Sequence, residues 1–304
     1  MANKIYKLSF LTPVRFGLMT NTASQSCVHS DTLFSALFMA LMESGKNEAF
    51  LNAVQSGRLI FSDGMPFRGD ELYLPRPVGL YPRTVEAEMD PGTRKLLKKI
   101  MWIPLNRFQE WLSGKVRPEE LIVRFGRAME RTRVNKRGEE PVPYQVEGFR
   151  FDDGCGLYII ARGASEEELA LMDEGMKLLT AAGIGGLKSS GWGKFSVFVP
   201  DVPERLRAYL EDEQAAAQML LSVAIPSEEE GEKAVDSSSY VLVQRSGYTA
   251  ASGEATTLKQ TVWLFAPGSV FAGRFDGDVL DISTNAPHPV WRCAKALMMG
   301  VRTE

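Results

Sequence analysis

"GIGGLKSSGWGKF", residues 183 to 195, places five glycines, two lysines, two serines and a tryptophan in thirteen positions. A glycine-rich loop with basic residues suits a phosphate, and what flanks it decides the fold. A P-loop needs Gly, four residues, then Gly-Lys-Ser/Thr, so that the lysine reaches the outer phosphates and the hydroxyl holds magnesium. Gly186 and Gly191 have that separation, but Trp192 stands where the lysine belongs. A dinucleotide fingerprint begins at Gly183 and Gly185 and is broken by Lys188. Both motifs also run from strand through loop into helix, which presents a helix N-terminus to the phosphate. Here the order is reversed. "SEEELALMDEGMKLLTAAG" opens with Ser165 and Glu168 as a capping box and repeats apolar residues at helical spacing. "KFSVFVP" then alternates as a strand and stops at Pro200. This is not an ATPase loop.

Outward from the loop, "KIYKLSFLTPVRF" alternates as a first strand, and "HSDTLFSALFMALMESG" reads as a helix that Ser30 or Asp31 can cap. "RLIFSDGMPFRGDELYLPRPV" reads as strand, turn, strand, and "YQVEGFRF" and "GLYIIARG" return to strand before the second helix. Residues 80 to 143 fit no tidy pattern beyond a short basic helix around "TRKLLKKIMWI" and are taken as an insertion, partly mobile. Without it, residues 1–205 run strand, helix, strand, strand, helix, strand, the split β-α-β arrangement of ferredoxin-like units. "DVPERLRAYLEDEQAAAQ" looks like a connector. Five strand candidates and one weak helix, "SEEEGEKAVDS", follow it. Residues 206–304 are therefore expected to form a second domain, a degenerate copy of the first. The class is α+β with antiparallel sheets.

At 304 residues, 44% hydrophobic and 24% charged, the chain can bury real cores, and no apolar run approaches a membrane span. Cys27, Cys155 and Cys293 are odd in number and in no metal spacing, as expected of reduced thiols in a cytoplasmic protein without a structural zinc. The net charge of −3 conceals a polarised distribution. Residues 92–150 hold 14 Lys/Arg against 7 Asp/Glu, a balance of +7, which leaves −10 for the remainder. The basic stretch can meet phosphates in spite of the acidic total.

The motif order resembles the RAMP proteins of CRISPR systems. More narrowly, "HSDTLFSAL", "LPRPV", "LKKIMWIPL", "RTRVNKRGEEPVPYQVEGFRF", the glycine loop, "LVQRSGY", "FAPGSVF" and "HPVWRCAKALMMGV" are similar, in that order, to the fourth Csm subunit of type III-A effector complexes. The resemblance spans about residues 5 to 301. It implies a non-catalytic, RRM-like subunit with two ferredoxin-like units that binds the repeat-derived 5′ handle of crRNA. It also implies docking to the large polymerase-like subunit and the backbone RAMP subunit, indirect contact with target RNA, and neither cofactor nor membrane. The family's insertion often carries Val-Asp-Arg where this chain has Val134, Asn135 and Lys136, so a salt bridge drawn there by analogy loses its acid.

The residues expected at RNA follow from their chemistry. Gly185, Gly186, Gly191 and Gly193 expose amides and allow close approach of a backbone. Lys188 and Lys194 add charge, Ser189 and Ser190 add donors, and Trp192 offers either a stacking face or a core ring. Arg131, Arg133 and Lys136 lie in the densest basic run, which the resemblance makes a hairpin thumb between guide and target. Arg15 and Arg245 sit near strand ends of an RNA-facing sheet. His29 starts the first helix and either caps it or touches phosphate. In RAMP endonucleases a histidine near that helix can be the general base, which is the rival reading, but such catalysis needs a second proton carrier or charge stabiliser within reach. Asp31 is explained by helix capping.

Overall fold

β1 (Ala2–Phe10) crosses the molecule with Ile5, Tyr6 and Leu8 fully covered, on alternating faces, because both sides of its sheet are packed. The computed structural model describes residues 1–17, 24–135, 142–248, 258–284 and 288–302. A short ladder of β2 (Phe16–Gly17) and β3 (Ser24–Gln25) leads to α1 (Ser30–Met42), and α2 (Asn47–Gln55) follows. Next come β4 (Leu59–Phe61), β5 (Met65–Arg68) and β6 (Glu71–Pro75).

Of the insertion expected at 80–143 with one short basic helix, residues 80–121 hold that helix and further short elements, packed in an apolar cluster shared with the main sheet and the C-terminal half. α3 (Arg83–Glu88), α4 (Pro91–Lys99), β7 (Trp102–Pro104) and α5 (Phe108–Leu112) are each short. They converge on Tyr81, Leu97, Ile103, Phe108 and Trp111, all buried. β7 also pairs with β6, which ties the insertion to the main sheet. β8 (Gly126–Asn135) and β9 (Val142–Phe151) form a ten-pair antiparallel hairpin. β10 (Cys155–Gly163) is buried at every position, and α6 (Glu166–Ala182) carries the expected Ser165–Glu168 capping box. β11 (Phe195–Phe198) closes this half, and α7 (Glu204–Glu211) buries Leu206 and Leu210, so the connector is itself packed.

The main sheet has the order β11-β1-β10-β5-β6-β7, with β4 also on β10, and its strands pair antiparallel. Leu157, Ile159 and Ala161 of β10 face α1, α2 and α6, whereas Tyr158 and Ile160 face the insertion and the C-terminal half. β4 and β5 are one strand interrupted at Ser62-Asp63-Gly64. Ile160 N–H donates to the Ser62 hydroxyl at the break, which turns Asp63 out of the ladder.

Beyond α7 the five segments expected as strands carry seven: β12 (Ala217–Leu220), β13 (Leu242–Arg245), β14 (Val262–Phe265), β15 (Val270–Phe271), β16 (Gly277–Asp281), β17 (Trp291–Lys295) and β18 (Met298–Val301). They pair as β15-β12-β18, β13-β14 and β16-β17. The weak helix expected at 227–237 is reduced to one 3-10 turn at Glu232–Ala234. Glu230 accepts the Asp276 and Gly277 amides, an anchor on a distant turn, and Gly231 follows at φ +46°. The chain is thus a mixed α and β protein with antiparallel sheets.

Candidate nucleic-acid interface

The glycine loop begins where α6 ends, at Gly183, and positive φ recurs at Gly185, Leu187, Gly191 and Gly193. At Gly185 a Cβ would come within 2.7 Å of the Arg15 carbonyl oxygen, and at Gly193 it would overlap the Ile184 carbonyl. Gly186 N–H donates to Arg15 O at 2.8 Å, Gly193 N–H to Pro13 O at 2.8 Å and Lys194 N–H to Thr12 Oγ1 at 2.9 Å. The expectation of a row of amides offered to RNA is therefore corrected. These glycines let the loop lie against residues 11–16, and several of their amides are spent on holding it there.

What the loop turns outward is Lys188, Ser189, Ser190 and Gly191, all exposed. Lys194 reaches back instead, its Nζ donating to the Ala181 carbonyl at the end of α6, where a cation complements the helix terminus. Trp192 is only 4% exposed. Its ring lies over Gly148 of β9, where a Cβ would displace it, so of the two roles open to it the structure shows packing.

Beside the loop lies a cleft of about 210 Å³ whose lining includes Arg15, His29, Gly185, Gly186, Lys188 and Arg245. Six residues selected from the sequence thus meet in one place, from the β1–β2 connection, the start of α1, the loop and the end of β13. Arg245 is not a lone strand-end arginine facing RNA, which corrects its expected setting. Its Nε and Nη2 donate to the two Asp31 carboxylate oxygens at 2.8 Å each, and Nη2 also donates to Thr32 at 2.8 Å. Arg292 Nη1 donates to Asp31 Oδ2 at 2.6 Å. Burial alone would raise the Asp31 carboxyl, but Arg245 first and then Arg292 outweigh it and hold it below the ordinary carboxylate range. One carboxylate serves two guanidinium groups here, and the Asp63 carboxylate nearby also acts on Arg245.

Asp31 does not cap α1 either. His29 occupies the N-cap position without a side-chain cap bond, and the first-turn amide of Ser30 donates to Asp63 Oδ1 at 2.8 Å. The same oxygen accepts the Val223 amide at 2.9 Å, and Asp63 Oδ2 lies 2.5 Å from His29 Nδ1. An acceptor there assigns the ring proton to Nδ1. His29 is 8% exposed and lines the cleft, and its Nε2 is buried with no hydrogen-bond partner among the described residues. Sequence reasoning missed Asp63; its only signal was an acid in the small polar break "SDG" between two apolar runs.

Arg131 and Arg133 lie on β8, not in the cleft. Strand alternation puts them on one face with Arg127, and the register adds Arg150, Tyr144 and Gly148 of β9 to that face. Trp192 packs at Gly148, so the hairpin's basic face is the one turned toward the glycine loop. Lys136 lies outside the described residues.

A family model of the CRISPR Csm4 C-terminal domain matches residues 213–301. The chain is 30% identical over 308 residues to "CRISPR system Cms protein Csm4" of Streptococcus thermophilus, covering 98% of each. It is 29% identical over 308 residues to the protein of that name from Mycobacterium tuberculosis, covering 99% of this chain and 98% of the other. In fold it is similar to a chain of a Csm3-Csm4 subcomplex from a type III-A CRISPR-Cas interference complex. That match has TM-score 0.69 at 17% identity and covers 98% of this chain and 99% of the other. A Csm1-Csm4 cassette in complex with cA4 gives TM-score 0.64 at 20% identity, covering 100% and 99%. Identity at the level of the first two relatives, sustained from end to end, decides the family: the chain belongs to the Csm4 subunits of type III CRISPR complexes.

Proposed function

We propose that this chain is the non-catalytic subunit that grips the repeat-derived 5′ handle of crRNA in a type III-A Csm effector complex. The observation that carries the reading is the cleft shared by Arg15, His29, Lys188 and Arg245 against the glycine loop. Guanidinium and ammonium groups hold phosphates, and Gly185 and Gly186, packed on Arg15, bring Lys188 beside the same cleft. The order β11-β1-β10-β5, with α1 and α6 on one face, supports a ferredoxin-like unit over residues 1–205. Residues 206–304 form the second, degenerate unit. Its Arg245 lines the cleft, and its Arg292 holds the Asp31 carboxylate to which Arg245 is bound. The large polymerase-like subunit and the backbone RAMP subunit are the protein partners, as the names Csm1-Csm4 and Csm3-Csm4 of similar structures suggest. The complex works in the cytoplasm.

His29 favours one second reading. A ring held by Asp63 at Nδ1 with Nε2 unpartnered is the arrangement of an oriented general base, as a RAMP endonuclease would use. In the scaffold reading His29 is only part of the lining of the RNA cleft, and the chain leaves repeat RNA intact. The complex purified from its source cell, with its bound RNA sequenced, tests the first reading: the RNAs should share one repeat-derived 5′ segment. Labelled repeat RNA tests the second, and specific cleavage that disappears in His29→Ala would replace the scaffold reading with the enzymatic one.

A further inference from the structure

A second cleft, about 460 Å³, opens at the foot of the β8–β9 hairpin. Residues 99–102 line one part of it, from the "LKKIMW" run that the first cleft does not use, and residues 121–126 line another. Its chemistry is mixed in a particular way. Met101 and Ile122 are 67% and 58% exposed beside the half-buried Trp102, a clustering of large apolar groups in water that folding alone does not require. Lys99 and Arg124, both exposed, add two cations to the same lining. Apolar and aromatic surface with cations beside it is what a single-stranded nucleotide needs, a face for the base and charge for its phosphate.

Position supplies the second argument. Ser26 lines this cleft and Cys27 the first. Phe149 lines this cleft and is bridged to Val14, whose neighbour Arg15 lines the first. Ser26 and Cys27 are consecutive, about 4 Å of backbone apart, and Phe149 is one cross-strand bridge and one residue from Arg15. They adjoin each other.

We propose that the second cleft takes one unstacked base of the single-stranded RNA whose backbone lies in the first. Trp102 and Met101 lie against the base, and Lys99 and Arg124 lie at its phosphates. This rests on the RNA reading of the first cleft. A polarisable thioether beside an indole accepts any base, so the site selects for an unpaired nucleotide and not for its identity.

The test uses the full chain and short handle-bearing single-stranded RNA with thiouridine placed at one position at a time. After irradiation one position should cross-link within residues 99–102 or 121–126, and adjacent positions should cross-link around Arg15 and Lys188. Ile122→Glu sets an acid in the lining at an exposed site. It should abolish the second-cleft cross-link and weaken RNA binding about tenfold with unchanged melting. Cross-links confined to the first cleft, with Ile122→Glu binding as wild type, would overturn the proposal alone. Their absence from both clefts would overturn the reading beneath it as well. If Ile122→Glu keeps RNA but loses the large subunit, the cleft docks protein and the proposal fails.

Discussion

Asp31 holds Arg245 with both carboxylate oxygens and Arg292 with one, and all three side chains are largely removed from water. Removing the one acid strands two buried cations, a change that costs about 3–5 kcal/mol when a buried pair is broken. Asp31→Asn should therefore lower the urea midpoint strongly at neutral pH. The pH dependence follows from the direction of the shift. The folded carboxyl titrates below its unfolded value, so its contribution is complete above about pH 4 and fades as pH falls through the lower folded value. The stability gap between wild type and Asp31→Asn should narrow from pH 7 to pH 3, and a constant gap would assign the effect to packing. At this scale residue types near element ends, such as His29, Arg15 and Lys188, are legible in the sequence. It hid their partners: Asp63 is 34 residues from His29 and Arg245 is 214 from Asp31, and local spacing does not record such contacts. Trp192 was undecided for the same reason, because a glycine far upstream covers its ring.

The hairpin and the glycine loop are the elements on which the two halves of the account rest. Arg131 is exposed and Arg133 half-buried on β8, and neither appears in an ion pair with a described residue. Neutralising both should leave thermal melting of the free subunit almost unchanged, since surface substitutions fall within about 0.5 kcal/mol. What should change is target binding and target-triggered activity of the reconstituted complex. A large drop in melting would make the arginines structural, and an unaltered target response would end the thumb assignment. Gly193→Ala should behave in the opposite way. Its φ of +75° and the overlap with the Ile184 carbonyl cost about 1–3 kcal/mol or more, read as lower melting together with weaker RNA binding. Helices with caps and alternating strands are legible because their period repeats over nine or more residues, as in α6 and β1. The insertion was not, because helices of five to nine residues and a three-residue strand are too short to display a period, although they share one buried cluster.

Across the whole molecule the cleft belongs to neither half. Asp63 and His29 come from the first 205 residues, and Val223, Arg245 and Arg292 from the remainder. The Asp63 amide donates to Leu221 O at 2.9 Å, so the strand break that orients His29 is itself fastened to the C-terminal half. A net charge of −3 is no obstacle to such a site, since affinity for phosphate follows the local field. The most direct test is the salt dependence of binding between the full chain and handle-bearing RNA, for wild type, Lys188→Ala, Arg15→Ala and Lys194→Ala. The account predicts a linear fall of log affinity with log salt. Its slope should shrink by about one for Lys188→Ala and for Arg15→Ala, and less for Lys194→Ala, whose charge serves the end of α6. RNA without the handle should bind more weakly. Equal binding of both RNAs, with the slope and affinity of Lys188→Ala and Arg15→Ala unchanged, would contradict the assignment of this cleft to RNA.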